Sequence, residues 1–158
     1  MTMADAQNDF SGAKLLLFLG ADILLLRRDH NAGIPWPGCL DFPGGGREGH
    51  ESPQACVLRE TQEETGLQID ASALRIVHLR GRAPKADWFF AAHLPHDARH
   101  DVRFGGEGVG WEMMTPGNAA LHPLLIPHFA LILKRYLVEI EKAGSRGLNA
   151  PMLPASDA

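Results

Sequence analysis

The chain has 158 residues, 45% of them hydrophobic and 22% charged, with a formal net charge of −4, values that fit one globular domain with a sizeable core. The acidic balance argues against binding long nucleic acids, which need a basic face. Two cysteines, Cys39 and Cys56, form no CxxC pair and sit in no Cys/His cluster, so neither a zinc site nor a disulfide framework is expected.

Residues 1–11 are polar and acidic, without a basic segment, and read as a flexible tail. The apolar run that follows is too short for a signal core or a membrane span, so a cytoplasmic protein with no membrane partner is expected. Residues 14–19 and 23–27 are short apolar runs separated by Gly20-Ala21-Asp22, the pattern of two strands joined by a tight turn. Residues 29–40 are rich in Gly, Pro and Asn and carry Trp36, as a functional loop does. Gly44-Gly45-Gly46 forms no regular structure at low cost and allows a backbone path that side chains would block.

A helix is predicted from Ser52 as N-cap and Pro53 as first helical residue to about Thr65, with Gly66 as the left-handed cap. Strands are expected over 74–79, 88–94 and 111–114, and a Gly-rich loop carrying Glu107 lies between the last two. A final helix spans about 127–142, where Ile126, Phe129, Ala130, Leu133, Leu137 and Ile140 recur on one face. From Gly144 the chain is rich in Gly, Pro and Ser and reads as a disordered tail, leaving 12–143 as the domain. Strands mixed with two helices suggest a sheet layered between helices.

At about 100° per residue, Glu60, Glu63 and Glu64 fall within one arc of the first long helix. Like charges at this spacing repel, and a hard oxygen-seeking cation such as Mg²⁺ relieves the repulsion. Arg59 and Arg47 are placed to hold carboxylates in fixed rotamers. The opposite face, with Ala55, Leu58, Gln62 and Thr65, is expected to pack on the sheet. A bare Glu-x-x-Glu-Glu is usually a solvated helix face rather than a metal site. The longer spacing decides: Gly45, five residues, Glu51, seven residues, then Arg59-Glu60-Thr61-Gln62-Glu63-Glu64-Thr65-Gly66-Leu67.

This segment resembles the Nudix box, the signature of the Nudix (MutT-like) hydrolases, with every fixed position met and Thr61 standing where an aliphatic residue is usual. The preceding Phe42-Pro43-Gly44 also resembles the family. The resemblance implies an α/β fold, an α/β/α sandwich around a mixed sheet, and hydrolysis of a nucleoside diphosphate linked to another group. It implies Mg²⁺, replaceable by Mn²⁺, held by Glu60, Glu63, Glu64 and the Gly44 carbonyl. Arg59 would orient carboxylates including Glu51, Gly45 would shape the loop, and Gly66 would end the helix. The general base is Glu60 or the loop residue Glu107, whose neighbouring glycines would let the loop move toward substrate. Arg27 and Arg28 are placed to reach phosphates, and Trp36 to stack on a base; Trp88, in an apolar strand, reads as core.

A house-cleaning nucleoside triphosphate pyrophosphohydrolase is the leading expectation. ADP-ribose or nucleotide-sugar hydrolysis comes second, since those relatives carry a proline after the box to which Pro84 is a near counterpart. A non-catalytic nucleotide sensor would normally have lost box carboxylates. Isoprenoid diphosphate isomerisation, for which Cys39 is suggestively placed, goes with a degenerate box. Many relatives dimerise, so a homodimer is an open expectation, beside a small-molecule nucleotide as partner.

Overall fold

The computed structural model describes residues 3–145. The chain runs α1 (Met3–Asn8), β1 (Gly12–Leu19), β2 (Asp22–Arg27), β3 (Leu40–Asp41), β4 (Gly44–Gly46), α2 (Pro53–Thr65), β5 (Arg75–Arg80), β6 (Asp87–Leu94), β7 (Gly110–Met114), α3 (Pro116–Leu121) and α4 (Pro127–Ser145). Seven strands make one mixed sheet, with β1 parallel to β6 and the other pairs antiparallel.

One feature of the sheet places the site. Along one edge, β1 pairs first with β4 (Gly12↔Gly46 to Lys14↔Gly44) and then with β2 (Leu17↔Leu24 to Leu19↔Asp22). β2 in turn leaves β1 and pairs at its far end with β3 (Leu26↔Asp41, Arg27↔Leu40). The two strands therefore part like a fork, and residues 40–46 fill it, with the Leu15 amide donating to the Pro43 carbonyl at 2.8 Å. The three glycines read as irregular form strand β4 instead. Its edge position and lack of side chains let β4 lie close against β1: a Cβ on Gly44, which has φ 134°, would collide with the Ala13 carbonyl.

Alternation along the strands divides two cores. Leu15, Leu17, Trp88 and Phe90 face α2, through Cys56 and Val57. Leu16, Phe18, Phe42 and Phe89 face α3 and α4, through Ala119, Phe129, Ile132 and Leu133. The result is a helix–sheet–helix sandwich.

The five strands expected from sequence are present, as are both long helices, with Ser52 accepting from the Ala55 amide and Gly66 left-handed at φ 74°. The stretch read as a loose N-terminal tail contains α1, and Phe10 is buried against Trp88's side of the sheet. α4 continues to Ser145, and the rest of the expected C-terminal tail, 146–158, lies outside the described residues. No helix among the described residues is long and apolar enough to cross a membrane.

The packing face of α2 differs from expectation. Ala55 and Gln62 are exposed, while Cys56, Val57, Thr61 and Thr65 are buried. Glu60 and Glu64 thus flank the buried face rather than oppose it. Glu64 stands only about 60° around the helix from Thr61 and is drawn under the fork, whereas Glu63 is turned outward.

Candidate active site

A cleft of about 410 Å³ opens at the fork. Glu60 and Glu64 enter it from α2, Gly44–Gly46 form one side, Arg27, Arg28 and Lys14 supply positive charge, and Glu107 reaches it from the loop before β7. That volume lies within the range of small-molecule sites, roughly 300–1,000 Å³.

Arg59 organises the outer carboxylates. Its Nε and Nη2 donate to both oxygens of Glu51 at 3.0 and 2.8 Å, Nη2 also donates to the Gly46 carbonyl at 2.8 Å, and Nη1 donates to Glu60 at 2.9 Å and Glu63 at 3.2 Å. This bidentate, charge-assisted pairing holds the Glu51 carboxyl down to about 2, with Arg59 itself raised by the same bonds. Arg47, expected to do similar work, instead donates to the backbone carbonyls of Glu51 and Asn8 and lies over the Phe10 ring.

Glu64 has a different environment. The Gly44 amide donates to its Oε1 at 2.7 Å, but burial dominates and pushes its carboxyl up to about 7. Glu60 lies against Gly45, where an added Cβ would stand 2.6 Å from the carboxyl carbon. A side chain at position 45 would displace this carboxylate from its present place.

Among the described residues, no three acidic, histidine or cysteine side chains stand close enough together to clasp a metal ion. Arg59 holds Glu63 outward, its side chain 57% exposed, and Glu63 does not line the cleft. The remaining donors nevertheless suit a hard cation: Glu60, Glu64 and Glu107 border one cavity beside the Gly44 carbonyl, and their oxygens are the ligand type such an ion takes.

The loop bearing Glu107 is pinned rather than free over much of its length. The Arg103 amide donates to the Thr65 carbonyl at 2.7 Å, Gly105 to the Glu64 carbonyl at 3.0 Å, and Val109 to the Arg27 carbonyl at 2.9 Å. A Cβ on Gly105 would strike the Glu63 carbonyl, so this glycine serves docking onto α2, not mobility.

Arg27 and Arg28 reach the cleft already paired. Arg27 bridges to Glu112 at 2.7 Å and donates to the Gly38 carbonyl; Arg28 pairs with Asp41 at 2.9 Å and donates to the Pro35 carbonyl. Trp36 is 45% exposed and borders a second cavity of about 310 Å³ that adjoins the first, whereas Trp88 is fully buried. Sequence reasoning passed over Lys14 and Asp41. Lys14 Nζ lies 3.1 Å from Asp41 and donates to the Gly44 carbonyl at 3.2 Å and to the Phe42 carbonyl at 3.4 Å. A lysine interrupting an apolar strand was the available signal.

The fold is a mixed-sheet sandwich with a carboxylate-bearing helix packed against a glycine strand. The sequence matches the NUDIX domain over residues 11–135, and the chain belongs to the Nudix hydrolase family. No curated protein matches it. Among solved structures, a MutT protein from Methanosarcina mazei Go1 is 22% identical, with a TM-score of 0.66 over 84% of this chain and 96% of that one. A C. elegans Ap4A hydrolase is 18% identical, with a TM-score of 0.63 over 83% and 97%. A bifunctional NMN adenylyltransferase/ADP-ribose pyrophosphatase from Francisella tularensis, complexed with AMP and a Mn ion, is 17% identical, with a TM-score of 0.66 over 84% of this chain and 42% of that one.

Proposed function

We propose that the chain is a Mg²⁺-dependent pyrophosphohydrolase of nucleoside triphosphates, releasing a nucleoside monophosphate and diphosphate. The observation that carries this reading is the pair of adjoining cavities. One is polar, with three cations and five carboxylates, and the other is aromatic; they share Lys14, Arg28, Asp41, Gly45 and Gly46. A polyphosphate chain suits the first and a nucleoside the second.

Glu60, Glu64, Glu107 and the Gly44 carbonyl would hold the divalent ion, with Glu63 joining only if it leaves Arg59. When bound, the ion polarises phosphoryl oxygens and favours ionisation of water. The protein's own residues do the rest. Arg28, Lys14 and Arg27 meet phosphate oxygens, because phosphoryl transfer requires little covalent help but much charge neutralisation and alignment. Glu107, or Glu60 held by Arg59, accepts a proton from the attacking water as its oxygen bonds to phosphorus and the bridging P–O bond breaks. Arg59 is a positioning residue, fixing Glu60 and Glu51 relative to β4.

The test is turnover of a panel, comprising nucleoside triphosphates, oxidised triphosphates, ADP-ribose and dinucleoside polyphosphates, with and without Mg²⁺. Glu64→Gln is the control. A triphosphate consumed only with Mg²⁺, and not by the variant, supports the reading. Preferred cleavage of ADP-ribose or a dinucleoside polyphosphate replaces its substrate. Binding without any turnover makes the protein a nucleotide sensor.

A further inference from the structure

Lys14 is the one charged residue in the apolar run Gly12–Leu19 that forms β1. Its ammonium lies over the Phe129 ring, with Nζ 5.9 Å from the ring centroid, and reaches into the fork. There Nζ stands 3.1 and 3.2 Å from the two carboxylate oxygens of Asp41, 3.2 Å from the Gly44 carbonyl and 3.4 Å from the Phe42 carbonyl. An ammonium donates three hydrogens and accepts none, so these four oxygens form a cradle that suits a cation.

Asp41 does not cancel the charge held in that cradle. The same carboxylate pairs with Arg28 at 2.9 Å, so one negative charge faces two positive ones. The side chains of Lys14 and Asp41 are only 20% and 7% exposed, and charges so placed are screened weakly by salt and water.

Gly44 is gripped at both ends. Its amide donates to Glu64, and its carbonyl accepts from Lys14. The charge of Lys14 is also felt at Glu64, where it favours the ionised carboxylate. A carbonyl oxygen has two lone pairs and can face two cations. Those two cations would then stand close together with little solvent between them, and like charges in that arrangement repel.

We propose that Lys14 is an internal cation of the cleft, which competes with the divalent ion for the Gly44 carbonyl and holds the protein's affinity for that ion below what its carboxylates alone would give. The proposal rests on the reading in which the Gly44 carbonyl and Glu64 belong to the ion site. A lysine that merely tied β3 and β4 to β1 would have the opposite signature: its loss would loosen the Gly44 carbonyl and weaken ion binding.

The experiment is titration of the full chain with Mn²⁺, without nucleotide, with the free ion followed by electron paramagnetic resonance. Wild type is compared with Lys14→Met and Lys14→Arg. Methionine keeps an unbranched stem and removes the charge, whereas arginine keeps the charge. Lys14→Met should bind Mn²⁺ about fivefold or more tighter than wild type, the low end of ordinary coupling between sites. Lys14→Arg should stay nearer to wild type than to Lys14→Met. Unchanged or weaker binding in Lys14→Met overturns the proposal, and so does an equal gain in Lys14→Arg. If Lys14→Met fails to fold, Lys14→Gln, neutral and still able to donate to Asp41, carries the same expectation. Glu64→Gln separates the proposal from the reading beneath it. If Glu64→Gln abolishes Mn²⁺ binding while Lys14→Met leaves it unchanged, the ion site stands and the role of Lys14 falls. If Glu64→Gln binds Mn²⁺ as wild type does, the ion sits elsewhere and both fall. Turnover is not read, so a protein that binds nucleotide without hydrolysing it would give the same result.

Discussion

The Gly44 amide donates to Oε1 of Glu64 at 2.7 Å, tying strand β4 to helix α2 across the floor of the cleft. The bond favours the ionised carboxylate, yet burial outweighs it and the carboxyl sits near 7 rather than 4.5. A carboxylate held so is a poor contributor to folding and a good ligand for a cation. The sign follows from the raised value. Below 4.5 the group is protonated whether folded or unfolded and has no effect. Stability falls as pH rises from 4.5 through about 7, and the whole penalty is present above that. Glu64→Gln should therefore stabilise the metal-free protein by about 1–3 kcal/mol at pH 8 and leave it unchanged at pH 4. Chemical denaturation at the two pH values checks this. A loss of stability at pH 8 would mean that the bond to Gly44 outweighs the desolvation.

Glu107 reaches the cleft from the loop pinned by Gly105 and Val109 to α2 and β2. Its side chain is exposed, so the fold does not depend on it. Glu107→Gln should lower kcat by roughly a hundredfold or more, as expected when a proton acceptor or an ion ligand is lost, with an unchanged melting temperature. Near wild-type turnover would leave Glu60 as the base.

Thr61 has the reverse problem. It occupies a fully buried position on α2, and its hydroxyl has no hydrogen-bond partner among the described residues. Thr65 donates to the Thr61 carbonyl, so the main chain is satisfied while the side-chain oxygen is not. Thr61→Val keeps the shape and removes the orphaned hydroxyl. It should raise stability by about 1 kcal/mol, or roughly 3 °C in Tm, without altering turnover. A fall in Tm would show that the hydroxyl is satisfied in solution.

Much of the site was legible because local rules govern it. The Ser52 and Gly66 caps bound the helix, and the spacing of Glu60, Glu63 and Glu64 follows from helical geometry alone. What sequence could not show is how far each carboxylate is turned toward the sheet, because that depends on which residues α2 buries. Thr61 and Thr65 look polar but face the core, and this rotates Glu64 inward and Glu63 outward. Strand β4 was hidden for a related reason. Glycine has low strand preference, and only the fork between β1 and β2 gives Gly44–Gly46 a partner. Lys14, Asp41 and Asp87 belong to three separate strands, and only the sheet brings them to one place.

Glu51 and Arg59 form the structural counterpart of the Glu64 contact, an acid whose environment favours its charge. The paired guanidinium holds Glu51 at about 2, below its ordinary 4.5, and only 15% of its side chain is exposed. Its contribution is complete above 4.5 and is lost as pH falls through about 2. Glu51→Gln cannot reproduce the bidentate pair, so at pH 7 it should be about 1–3 kcal/mol less stable than wild type. The two stability curves should converge as pH falls from 4.5 toward 2, because wild type alone loses this term. Parallel curves across that interval would show that Glu51 acts through packing rather than charge. Because Arg59 also holds Glu60 at 2.9 Å, the same variant should reduce turnover through misplacement of Glu60, and melting curves paired with kcat at pH 7 separate the two effects.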